Sequence, residues 1–171
     1  VFMLKEGQIR IPSGCAIAAI IDRKGGKING SEIIKSIALM HDRSNGLGGG
    51  FAAYGIYPEH ADSYAFHIFY DTAQAKADCE DYLFRHFNVD VSEKIPTKKI
   101  EAIANGPDIW RYFAKPNRVR MKETRMDEEE YTVQCVMHVN QNIEGAFIFS
   151  SGKNMGCFKA VGYPEDVGEF Y

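Results

Sequence analysis

Between Tyr64 and Ser150 the apolar spacing switches from a period of two to a period of 3.6 and back again, and this alternation narrows the possible folds more than any other feature. Tyr64–Tyr70 is an apolar run of strand length, closed by Asp71. Asp71 or Thr72 can cap a helix that carries Ala75, Cys79, Tyr82, Leu83 and Phe87 on one stripe. Val91–Pro96 and Ile109–Ala114 are short strand candidates. Asp127 with Glu130 three residues on has the form of a capping box, and acidic side chains favour a helix N-terminus. The segment behind it has two readings. Tyr131, Val133, Cys135, Met137 and Val139 alternate as in a strand, whereas Val133, Val136, Met137 and Ile143 fit a helical stripe. The acidic cap favours the helix. Gly145–Ser150 is then a strand. The order strand, helix, strand, strand, helix, strand predicts a four-stranded sheet with two helices on one face.

That order is ferredoxin-like, and the expected class is α+β. The lobe is expected over 61–152, framed by 15–60 and 153–171. Gly7–Gly14 is a polar lead-in, and residues 1–14 read as a leader. Cys15–Ile21 is a short apolar run ended by Asp22, with a Gly25-Gly26 turn behind it, which predicts a buried strand. Ser31 can cap a helix with Ile33, Ile34, Ile37 and Ala38 on one face. Asn45–Gly50 is a glycine-dense loop, Phe51–Tyr57 a strand stopped by Pro58, and Met155–Val161 another strand.

Composition excludes several function classes. The 171 residues carry a net charge of −3, and polyanion binding needs clustered Lys and Arg. Arg118, Arg120, Lys122 and Arg125 are followed at once by Asp127–Glu130, a mixed-charge surface rather than a nucleic-acid face. No apolar run approaches the ~20 residues that span a bilayer. Lys5, Glu6, Gln8 and Arg10 interrupt the start as no secretory signal would. The four cysteines, at 15, 79, 135 and 157, lack the C-x-x-C spacing of a zinc site and suit a reducing cytoplasm.

Cys15 stands out for chemistry. If the Gly14–Cys15 bond is cut, the residue carries a thiol and a free α-amine together. That amine has a pKa near ~8 and can serve as base for its own thiol. Gly14 places no side chain in the way of attack on its carbonyl. The alternative is a buried structural cysteine, since free Cys is among the most buried residue types. Other motifs fail on spacing. Gly152-Lys153 has Asn154 where a phosphate loop needs Ser or Thr, and Phe51 occupies the last glycine position of a dinucleotide fingerprint. His67 and His138 lie on mostly apolar elements and read as satisfied core or edge residues. Trp110, Tyr112 and Phe113 read as core.

Cys15-Ala16-Ile17-Ala18-Ala19-Ile20-Ile21-Asp22 resembles the opening of class II glutamine amidotransferases, the N-terminal-nucleophile hydrolases. Met40 through Gly55, including His41-Asp42-Arg43-Ser44-Asn45-Gly46-Leu47-Gly48-Gly49-Gly50, resembles their arginine-glycine loop, and more closely that of the amidotransferase part of archaeal-type glutamate synthase. Ser150–Gly156 and Phe158–Val167 resemble the same subfamily. The resemblance implies an αββα sandwich, incomplete in this chain. It implies Cys15 as nucleophile, cleavage between Gly14 and Cys15, and a substrate-site loop of Arg43, Gly46, Gly48, Gly49 and Gly50. L-Glutamine would be the substrate, and a synthase subunit or domain the partner. FMN and an iron–sulfur cluster would belong to that partner and none to this chain. Two departures stand out. Ala16 replaces the usual Gly, and the family's His-Thr-Arg clamp and oxyanion Asn-Gly are missing. The remainder of the amidotransferase domain is therefore an expected partner. The competing expectation is a non-catalytic ferredoxin-like binding or regulatory module.

Overall fold

The computed structural model describes residues 15–171. The expected leader, with Gly14, lies outside them. The chain is mixed α+β and divides into two compact units. One comprises Ala52–Thr97 and Asn105–Phe158; the other comprises the described residues through Phe51, with Lys98–Ala104 and Lys159–Tyr171. The pattern of the sequence did not separate Lys98–Ala104 from the lobe around it.

The helices are α1 (Gly30–Ala38), α2 (Ala73–His86), α3 (Arg118–Thr124), α4 (Glu128–Asn142) and α5 (Pro164–Phe170). The strands are β1 (Gly49–Tyr54), β2 (Tyr64–Tyr70), β3 (Phe87–Lys94), β4 (Asp108–Pro116), β5 (Ala146–Lys153) and β6 (Met155–Ala160). β1 pairs with β6, and the other four form a sheet in the order β3-β4-β2-β5.

In the larger unit β2 is central. It runs antiparallel to β4, from Tyr64 opposite Ala114 to Tyr70 opposite Asp108, and antiparallel to β5. The β5 register moves from Ile148 opposite Ile68 to Ser150 opposite His67, so Phe149 is an extra residue in a bulge. Alternation along β2 then sorts its side chains. Tyr64, Phe66, Ile68 and Tyr70 join Ala75, Cys79 and Leu83 of α2 and Tyr131, Cys135 and Val139 of α4 in one buried cluster. Both helices therefore cover the same face. Each large apolar side chain sealed there contributes about 2 kcal/mol.

Local signals explain these helices. The Thr72 hydroxyl accepts from the Ala75 amide at 3.1 Å, and the Asp127 carboxylate accepts from the Glu130 amide at 2.8 Å. The ambiguous segment behind Asp127 is helix α4. Phe87, expected on the α2 stripe, instead opens β3, which begins earlier than Val91. α3 was not anticipated. Asn117 caps it by accepting from Val119 and Arg120, and it ends at Arg125 in a left-handed conformation (φ 61°).

In the other unit Asn29, rather than Ser31, caps α1, accepting from the Ser31 amide at 2.9 Å. The expected face of Ile33, Ile34, Ile37 and Ala38 is half-buried. Ile34 lies against Gly168 of α5, where an added Cβ would stand 2.9 Å from its side chain. Val167 and Phe170 are the buried side of α5.

The expected strand at Cys15–Ile21 is absent. The segment has no regular structure, and Ile17 and Ile21 are 91% and 83% exposed. A strand needs a neighbour to satisfy its amides and carbonyls, and among the described residues no strand pairs with this one. Apolar composition alone cannot supply that neighbour. No helix among the described residues is long and apolar enough to cross a membrane.

Candidate functional site

Cys15 is exposed, whereas Cys79 and Cys135 are buried and Cys157 is half-buried. Burial pushes the Cys79 thiol up to about 11 and raises that of Cys135, so neither forms thiolate readily near neutral pH. Accessibility thus singles out Cys15 against the two helix cysteines, although the strand expected to hold it is not formed. Among the described residues no hydrogen bond or ion pair joins Cys15 to the glycine loop.

The loop residues lie together in the smaller unit. His41–Arg43 form one turn of 3-10 helix, tied by the Arg43 amide to the Met40 carbonyl and the Ser44 amide to the His41 carbonyl, both at 2.9 Å. Arg43 is exposed, and its guanidinium makes no ion pair among the described residues. It is therefore open to a carboxylate. Gly46 has φ +71° and lies under the Tyr163 ring, where a Cβ would stand 3.1 Å from Cε2. Only glycine meets both conditions without strain. Gly49 and Gly50, expected in the loop, are instead the first residues of β1; Gly49 is half-buried, and Gly48 and Gly50 are exposed.

A pair that the sequence did not reveal sits beside this loop. His41 stacks on Tyr163, with centroids 4.0 Å apart and planes at 20°. Its Nδ1 lies 2.5 Å from Oε1 of Glu165. Both residues fall within the family-like strings, but 124 positions apart, and no spacing rule joins residues at that distance. The Glu165 segment is itself fixed, because Asp166 accepts from the Tyr163 amide at 3.0 Å as α5 begins.

The larger unit holds a second polar cluster, on the sheet face opposite its helices. His67 is fully buried. Its Nδ1 donates to the Cys157 carbonyl at 3.0 Å, which leaves Nε2 to accept from the Tyr57 hydroxyl at 2.9 Å. The Tyr57 oxygen accepts from Nη1 of Arg111 at 3.1 Å, and Arg111 also pairs with Glu93. Burial, with a smaller push from the Arg111 charge, holds His67 down at about 4, so it is neutral. Every polar atom of the ring is satisfied, which makes this a structural staple rather than a nucleophile's base. His138, by contrast, is exposed on α4, stacked on Tyr82 at 4.4 Å. Trp110 is half-buried, and its indole nitrogen is shut from solvent without a hydrogen-bond partner among the described residues.

An iron–sulfur centre needs four clustered thiolates. The described cysteines differ in burial, and among the described residues no group of three or more His, Cys, Asp or Glu could hold a metal ion. The described residues do not fit such a cluster.

No family model matches the chain. A protein of Archaeoglobus fulgidus, described only as uncharacterized, is 42% identical to it over 159 residues, which are 92% of this chain and 42% of that protein. The chain therefore spans less than half the length of the curated relative it matches.

Proposed function

We infer that this chain is the nucleophile-bearing front part of a class II glutamine amidotransferase, of the kind found in archaeal-type glutamate synthase. The observation that carries the reading is the exposed thiol of Cys15 at the head of its family-like string, set against the buried, poorly ionised thiols of Cys79 and Cys135. The Cys15 sulfur attacks the side-chain amide carbon of L-glutamine. The tetrahedral intermediate expels ammonia as the C–N bond breaks, leaving a glutamyl thioester. Water then cleaves the C–S bond and releases glutamate. Once the Gly14–Cys15 bond is cut, the α-amine takes the thiol proton and returns it to the leaving nitrogen. Arg43 is our candidate partner for the substrate carboxylate beside the missing His-Thr-Arg clamp; its exposure, and the absence of an ion pair to it among the described residues, support this. Ammonia would pass to a synthase domain or subunit that carries the flavin and iron–sulfur centres, in the cytoplasm. The exposed apolar residues of Cys15–Ile21 fit an αββα sandwich that further residues of a longer polypeptide complete.

A second reading rests on the strand order β3-β4-β2-β5 with both helices on one face. That arrangement is ferredoxin-like and suits a non-catalytic binding or regulatory module. Intact mass after expression separates the two readings. A chain beginning at Cys15, labelled there by a glutamine-analogue electrophile, supports the enzyme. A retained leader and an unlabelled Cys15 in the full-length polypeptide support the module.

A further inference from the structure

We propose that His41 and Glu165 form a latch that positions the glycine loop, and with it Arg43, for substrate binding; the substrate part of this rests on the amidotransferase reading. The contacts converge on one short stretch of backbone. His41 is held from one side by the Glu165 carboxylate at 2.5 Å and from another by the face of Tyr163 at 4.0 Å. The same Tyr163 ring lies against Gly46, and Pro164 and Val167 lie against Gly49. The segment Tyr163–Val167 is thus a template on which the loop is laid down, and the His41–Glu165 bond is its polar anchor.

Arg43 shares one turn of 3-10 helix with His41. Fixing the His41 ring therefore fixes the start of the Arg43 side chain. A guanidinium that must meet a carboxylate in two-point geometry loses binding when its base swings freely. The effect falls on ground-state binding, because Arg43 touches the unreacting end of the substrate, so it is read in KM and not in kcat. His41 and Glu165 are positioning residues and take no part in proton transfer.

Glu165 offers a conservative control. Its Oε1 accepts from His41, while Oε2 is shut from solvent and has no hydrogen-bond partner among the described residues. Replacing Oε2 by an amide nitrogen keeps the Oε1 bond to His41 but buries N–H donors without an acceptor among the described residues, so Glu165→Gln weakens the latch while Glu165→Ala breaks it.

The test uses the full-length polypeptide, with two readouts on wild type, His41→Ala, Glu165→Ala and Glu165→Gln. The first is amide hydrogen exchange over residues 40–50, with Tyr64–Tyr70 as an internal reference for intact folding. The second is glutamine hydrolysis. Exchange in the loop is expected to rise roughly tenfold in both alanine variants, and KM for glutamine to rise on the order of tenfold with kcat within about threefold. Glu165→Gln is expected to be clearly closer to wild type than Glu165→Ala in both. Loop exchange unchanged in the alanine variants, or a Glu165→Gln variant as impaired as Glu165→Ala, overturns the latch. Unchanged KM alongside raised loop exchange overturns its substrate role. A wild type that hydrolyses no glutamine, with the exchange pattern as expected, overturns the amidotransferase reading and leaves the latch standing.

Discussion

The backbone of Gly156 lies against the imidazole of His67, so closely that a Cβ added there would stand 2.5 Å from Cε1. The ring cannot give way, because both of its nitrogens are engaged, with Cys157 and Tyr57. Gly156→Ala is therefore expected to cost about 1–3 kcal/mol by overpacking. Gly30, the first residue of α1, has open space around its Cα, and Gly30→Ala is expected to be neutral or stabilising by up to about 1 kcal/mol. Urea denaturation midpoints compare the two directly. Equal midpoints for both variants would contradict the close approach.

His67 also makes the larger unit acid-sensitive. Its folded pKa is depressed to about 4, against 6.5 for a free imidazole, chiefly because burial disfavours the charged ring. The folded state therefore binds fewer protons than the unfolded chain between these values. The stability is present in full above about pH 6.5 and is lost as pH falls toward 4, by roughly 3 kcal/mol in total. His86, also lowered mainly by burial, adds loss of the same sign. The pH dependence of unfolding should flatten over this range in His67→Gln, even though that variant starts less stable. A slope identical to wild type would show that His67 is not the group responsible.

Thiol chemistry should discriminate sharply within the native protein. On the amidotransferase reading, Cys15 is expected to react with a glutamine-analogue electrophile once the Gly14–Cys15 bond is cut. Cys79 and Cys135 should react only on unfolding, because they are buried and their thiols are pushed up. Peptide mapping after a short exposure measures this. Preferential labelling of Cys79, Cys135 or Cys157 would remove Cys15 from the nucleophile role.

Residues 1–171 by themselves are expected to hydrolyse glutamine poorly. A developing oxyanion needs preorganised donors in a dry site, and losing one donor costs on the order of 10²–10³ in rate. Cys15 is exposed instead, and no hydrogen bond joins it to the glycine loop among the described residues. Turnover should rise by at least about 10² in a longer polypeptide that covers Cys15–Ile21. Comparable kcat/KM for the two would mean that the donors lie among residues read here as structural.

What the sequence determined by itself is the set of elements whose signals lie within a few residues of each other. β2 was legible as Tyr64–Tyr70 because its apolar run is bounded on both sides, and α2 and α4 because Thr72 and Asp127 reach amides three residues on. Cys15 and the glycine loop were legible as candidates from residue type and local order, but the exposure of Cys15 was not, since its apolar run reads as a buried strand. Tertiary structure decided everything that depends on distant partners. It left Cys15–Ile21 without a strand neighbour, because hydrophobic residues specify burial only where another surface receives them. It turned Phe87 from the α2 stripe into the first residue of β3, where packing overrode the helical period. It joined His41 to Glu165 and His67 to Cys157, pairs 124 and 90 positions apart. Periodicity reports which face a side chain occupies; which residue meets it across that face is set by strand order and loop path, and no local spacing encodes those.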